Sequence, residues 1–202
     1  MNTPLHAPGK EAIAAMPLFS SLTLAQVHLV GVGQEAAALA EIKAHACLGF
    51  DTESRPTFHK GQTSDGPHLV QFATPDRAWL FQTRTPAAQA AVAELLHDAS
   101  IAKVGFGLSN DMSQLAHKFA IHPQNLIDLD RVFRQMGYKN SVGAKGAIAI
   151  LFGQRFLKSK RLSTSNWSLP QLNEQQQLYA ANDAYAAIRV HMALQTLKKN
   201  DE

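Results

Sequence analysis

The 202 residues are 46% hydrophobic and 17% charged, the balance of an ordinary globular protein long enough to bury one sizeable core. A formal charge of +3 is too small to mark a nucleic-acid binder by itself, although Lys and Arg crowd between positions 131 and 161. Cys47 is the single cysteine, which excludes an internal disulfide and argues against a Cys/His zinc site.

Residues 1–24 carry Pro4, Pro8 and Pro17 with no steady period, so they read as a loosely held arm before a domain at 25–202. Met1 to Phe19 shows no charged lead followed by a continuous apolar stretch, and no run nears the ~18 apolar residues of a membrane span. A soluble protein of a reducing, cytoplasmic compartment is expected. Gln26 to Val30 reads as a short strand and Gln34 to Ala44 as a helix. Between them, Gly31-x-Gly33-x-x-Ala36, with Asp51 about 20 residues on, matches the dinucleotide-binding fingerprint. That alternative finds no support downstream: Asp183 follows Tyr179 where a short-chain dehydrogenase needs a lysine.

From Ala46 the pattern is a strand to Glu53, then a loop with Pro56, Gly61, Gly66 and Pro67. A strand from His68 to Thr74, a turn at Pro75-Asp76 and a strand from Arg77 to Gln82 form an antiparallel hairpin. Pro86 opens a helix that ends near Asp98. Ile101 to Phe106 is a strand, Asn110 to Ala120 a helix, and Leu126-Ile127 a last short strand. Beyond Asp130 the chain reads as helical, apart from a polar link from Lys158 to Pro170. These elements give the α/β class, a mixed sheet flanked by helices on both faces in a single domain.

Asp51 and Glu53 sit two apart at the end of an apolar run, so in a strand both project from one face. Two like charges so close are relieved by a divalent cation, and an all-oxygen pair suits Mg²⁺ or Mn²⁺. The alternative is a solvated turn. Asp111, in the first turn of a helix after a strand, can face the C-terminal end of the sheet or simply serve the helix dipole. Tyr179 and Asp183 are i and i+4 on one helix face among alanines. They offer a phenol beside a carboxylate, or else a buried Tyr hydrogen-bonded to a helix Asp.

Taken together, Leu48-Gly49-Phe50-Asp51-Thr52-Glu53, Val104-Gly105-Phe106-Gly107-Leu108-Ser109-Asn110-Asp111 and Tyr179-Ala180-Ala181-Asn182-Asp183-Ala184-Tyr185-Ala186 resemble the three motifs of the DEDD-type 3′–5′ exonucleases. The resemblance is to the tyrosine-bearing branch of ribonuclease D and the Werner syndrome exonuclease domain. His68-Leu69-Val70-Gln71-Phe72 and Ser165-Asn166-Trp167-Ser168 extend it over about 25–198, the latter leaning toward the Werner type. The histidine branch would need a His where this chain has Leu178.

The resemblance implies a ribonuclease H-like fold in which Asp51, Glu53, Asp111 and Asp183 hold two ions, Mg²⁺ or Mn²⁺, that hydrolyse a phosphodiester and release nucleoside 5′-monophosphates. Tyr179, whose free pKa would be about 10, is expected to orient the attacking water rather than to act as a base. The backbone of Thr52 would meet the 3′ terminus. Lys158, Lys160 and Arg161 read as a phosphate-contacting edge, or as a solvated loop. Trp167 either stacks on a base or packs the final helix onto the sheet. The implied partners are DNA or RNA 3′ ends, with no membrane, and with a second copy or a helicase or repair partner acting in trans. The scattered histidines show no paired ligand spacing and are assigned no metal. A catalytically silent nucleic-acid-binding module on the same fold is the alternative of a different class.

Overall fold

Short runs rich in Val, Phe and Leu form the strands, and Ala-, Leu- and Glu-rich stretches form the helices between them. The computed structural model describes residues 5–56, 65–110 and 112–200. In chain order the elements are α1 (Lys10–Ala14), β1 (Val27–Leu29), α2 (Glu35–Ile42), β2 (Cys47–Glu53), β3 (Leu69–Ala73), β4 (Ala78–Gln82) and α3 (Pro86–His97). They continue with β5 (Ala102–Gly105), α4 (Met112–Phe119), β6 (Leu126–Asp128), α5 (Leu129–Gln135), α6 (Gly143–Phe152), α7 (Lys160–Ser163) and α8 (Glu174–Asn200). No described helix is long and apolar enough to cross a membrane.

The six strands make one sheet in the order β1-β4-β3-β2-β5-β6. Pairing of β2 with β3 and of β3 with β4 is antiparallel, and the other three pairings are parallel, so β3 alone runs against the rest. The antiparallel strands β3 and β4 are joined by a short turn, whereas parallel neighbours need a crossover, to which α3 and α4 contribute. The start of α3 is fixed by Thr85, whose hydroxyl accepts the Ala88 N–H at 3.1 Å, with Pro86 in the first turn.

Alternation along the strands divides the core in two. Leu48, Phe50, Val70, Phe72, Trp79 and Phe81 pack against α2, α3 and α4. Leu69, Ala73, Ala78, Leu80 and Val104 pack on the opposite face against α5, α6 and α8. The 27-residue α8 is about 40 Å long and lies across β1 to β5. Its alanines allow a close approach, and the nearest point is Gly49, where an added Cβ would fall 1.9 Å from the Ala184 carbonyl oxygen.

Two segments differ from the sequence reading. The N-terminal stretch expected as a loosely held arm is pinned in its second half, where Phe19 and Leu22 are buried in the α8-side core. Leu22 donates its N–H to Asn182 Oδ1 at 2.7 Å, Phe19 N–H donates to the Arg155 carbonyl at 3.0 Å, and Arg155 N–H donates to the Pro17 carbonyl at 2.8 Å. Three prolines disguise the segment because its order comes from partners far along the chain. The polar link also contains a helical turn, α7, started by Ser159, whose hydroxyl accepts the Leu162 N–H at 3.4 Å.

Candidate active site

Within β2 the alternation that sends Leu48 and Phe50 to the apolar face turns Gly49, Asp51 and Glu53 toward α8. With Gly49 admitting the helix backbone, Asp183, one residue before Ala184, comes down beside the strand end. Ligand oxygens of Asp51, Glu53 and Asp183 all lie within 4.8 Å of one another. Glu53 and Asp183 are buried and Asp51 is half-buried. Three carboxylates gathered this tightly with oxygen donors alone form a group of the kind that can hold a hard metal ion.

A cation already faces this group. Lys158 Nζ lies 2.8 Å from Asp183 Oδ2, and the lysine side chain is 36% exposed where that of Asp183 is only 3% exposed. The same ammonium sits 5.5 Å from the centre of the Tyr179 ring. Burial works against its charge, but Asp183 and then Asp51 outweigh it and hold the ammonium above the usual lysine range. Burial lifts the Asp183 carboxyl, and Lys158 opposes that rise. Tyr179, one helical turn before Asp183, is also buried. Burial raises its phenol well above the usual range, Asp183 adds to the rise and Lys158 opposes it. Its hydroxyl is buried and faces Asp183 and the Lys158 ammonium.

A cavity of about 330 Å³ opens beside the acids, lined by Phe50, Asp51, Phe106, the stretch from Val142 to Lys145, Lys158 and Asp183. Lys145, which the sequence reading passed over, donates from Nζ to the Lys158 carbonyl at 3.0 Å. Gln71 was also passed over as a site residue. It is fully buried cross-strand from Asp51, and neither its amide N nor its O finds a partner among the described residues. A Gln inside an otherwise apolar strand was the signal that could have marked it.

The other expected site residues are placed as follows. Asp111 lies outside the described residues. Thr52 is half-buried, paired with Val70 in the sheet. Lys160 and Arg161 are exposed in the first turn of α7. Trp167 is fully buried with its ring centroid 5.9 Å from that of Tyr179, so it packs and does not await a base. The dinucleotide alternative fails on geometry. Gly33 N–H is taken by Glu35 Oε2 at 2.7 Å and Gly31 N–H by Gln34 Oε1 at 2.9 Å, which leaves a carboxylate where a pyrophosphate would lie.

A mixed sheet that gathers acids from a strand end and from a helix laid across it is the arrangement of the ribonuclease H-like nucleases. A family model described as 3′–5′ exonuclease matches residues 33–198, and the chain belongs to that family, in its tyrosine-bearing DEDD branch. It is 29% identical over 157 residues to a 3′–5′ exonuclease of Arabidopsis thaliana, which covers 75% of this chain and 54% of the relative. It is 28% identical over 152 residues to the mouse (Mus musculus) bifunctional 3′–5′ exonuclease/ATP-dependent helicase WRN, covering 74% of this chain and 11% of that protein. The chain thus spans about half the length of the first relative and far less of the second. The solved EXO domain of Aedes aegypti Nibbler has the same fold, with a TM-score of 0.76 at 21% identity over 91% of this chain and 94% of that one.

Proposed function

We propose that the chain removes nucleoside 5′-monophosphates from the 3′ ends of DNA or RNA, using two divalent ions, Mg²⁺ or Mn²⁺. The observation that carries this reading is the meeting of Asp51, Glu53 and Asp183 within 4.8 Å beside a buried phenol, at a cavity of about 330 Å³. That volume falls in the range of small-ligand pockets, about 300–1,000 Å³, and accepts one terminal nucleotide at a time.

The residues fit the ions: the donors are all carboxylate oxygens, and the nearly buried Asp183 needs a positive charge beside it. Asp51, Glu53 and Asp183, with Asp111 carried over by the resemblance, would hold them. When bound, such ions supply Lewis acidity toward the phosphate and make water acidic near neutral pH. The raised phenol keeps its proton at neutral pH, so Tyr179 donates a hydrogen bond that orients the attacking water and takes no proton from it. Phe106 gives the cavity an apolar wall for the terminal sugar and base. Lys160 and Arg161, exposed on α7, and the Thr52 backbone steer the phosphates of the strand that follows.

A panel of 3′-labelled DNA and RNA, single- and double-stranded, incubated with Mg²⁺, Mn²⁺ or EDTA tests the reading. The expected result is stepwise shortening from the 3′ end with mononucleotide release, abolished by EDTA. Asp51→Ala should be slower on the order of 10³-fold. Wild-type speed in Asp51→Ala would refute it, and tight binding of single strands with no product in any metal would favour the silent module.

A further inference from the structure

Lys158 combines two properties that a plain surface lysine lacks. Its Nζ is 2.8 Å from a carboxylate that is itself 3% exposed, and its stem lines the cavity beside the acids. Its backbone is anchored on both sides: Phe156 is buried, the Lys158 carbonyl accepts from Lys145 Nζ, and Ser159 starts α7. The four-carbon stem can therefore swing while its root stays fixed.

We propose that Lys158 is a resident counter-ion of the acidic cage, which a divalent ion must displace, and that the displaced ammonium then bears on the substrate phosphate in the neighbouring cavity. This rests on the metal-ion reading above. An ammonium and a divalent ion cannot share Asp183 without strong repulsion at short range, so entry of the ion expels the ammonium. Its tether confines the released charge to the cavity, where a scissile phosphate is the group that needs it. The cage is thereby never left with uncompensated buried carboxylates, with or without metal. Lys158 thus joins the reaction as a catalytic group once the ions are in place.

Mn²⁺ binding to the whole chain, measured by calorimetry without nucleic acid, tests the displacement. Displacement reduces apparent affinity by the fraction of molecules whose cage is open. Lys158→Met should therefore bind the first Mn²⁺ on the order of ten-fold more tightly than wild type. Lys158→Gln, neutral but able to hydrogen-bond Asp183, should show the same direction of change, and Lys158→Arg should stay close to wild type. With Mn²⁺ saturating, single-turnover hydrolysis by Lys158→Met should fall on the order of 10²-fold. Wild-type Mn²⁺ affinity in both neutral variants overturns the proposal, and so does undiminished hydrolysis. A wild-type chain that binds no Mn²⁺ overturns instead the metal reading beneath it.

Discussion

Phe50, Phe72 and Phe81 on one face of the sheet are buried among aliphatic side chains of α2, α3 and α4, and Trp79 closes the edge of that core with its Nε1 donating to Glu41 Oε2. On the other face, at the strand ends under α8, Glu53, Gln71, Tyr179 and Asp183 are also buried, yet they bring charge and, at Gln71, unmet hydrogen-bonding capacity with them. A single strand feeds both, since β2 alternates Leu48 and Phe50 with Gly49, Asp51 and Glu53. The first face is organised to hold the molecule together, and the second spends part of that stability to keep carboxylates close. Perturbing each side in turn should therefore separate stability from rate, except where the two are joined.

They are joined at Gly49, and the largest effect is expected there. A methyl group at this position would meet the Ala184 carbonyl oxygen at 1.9 Å, which forces α8, and with it Asp183, away from Asp51. Gly49→Ala should lose about 3 kcal/mol in denaturant unfolding and on the order of 10²-fold in hydrolysis. A fully active variant would mean that α8 does not set the spacing of the acids. Phe72→Ala should cost about 3–5 kcal/mol while the rate per folded molecule stays at the wild-type level, as active-site titration against unfolding curves would show.

Tyr179→Phe should do the reverse. Its hydrolysis rate should drop on the order of 10²-fold, with an unfolding midpoint close to wild type because the ring and its packing on Trp167 are kept. The smallest effect is expected at Lys103, an exception on the apolar side. This lysine is fully buried, and its Nζ donates to the Asp98 carbonyl at 2.7 Å. Burial lowers its pKa from 10.5 to about 8, with Asp98 opposing. Between those two values the unfolded chain holds a proton that the folded chain has released, so wild-type stability rises with pH across that window. Lys103→Met should gain about 1 kcal/mol, or roughly 2–4 °C in Tm, near pH 7. The gain should shrink as the pH climbs from 8 toward 10.5, and a gain independent of pH would mean that packing, not charge, accounts for it.

Much of this was legible in the residues themselves. The strand edges follow from apolar runs bounded by Gly and Pro, the hairpin from Pro75-Asp76, and the helix after Pro86 from its spacing. Asp51, Glu53, Tyr179 and Asp183 could be read because period two and period four place each pair on one face of its own element. The relation between Lys158 and Asp183 could not be read in that way. No local pattern tells a loop lysine that it will turn inward, and the sequence reading accordingly left it at the phosphate-contacting edge. Phe19 and Leu22 stayed hidden for the same reason, because their partners, Asn182 and Arg155 among them, are brought near only by the finished fold. The Gly31-x-Gly33 signal, set aside already in the sequence for want of downstream support, is a decoy because a regular expression does not register that Glu35 and Gln34 satisfy the donors from within.

The cage draws on residues made at different times. Asp51 and Glu53 leave the ribosome more than a hundred residues ahead of Tyr179 and Asp183, which reside on the long helix α8. Until α8 has emerged and settled over Gly49, a nascent chain has neither the phenol nor the third carboxylate in position. The acidic cage is in this way a late product of folding, complete only once α8 is laid over the sheet.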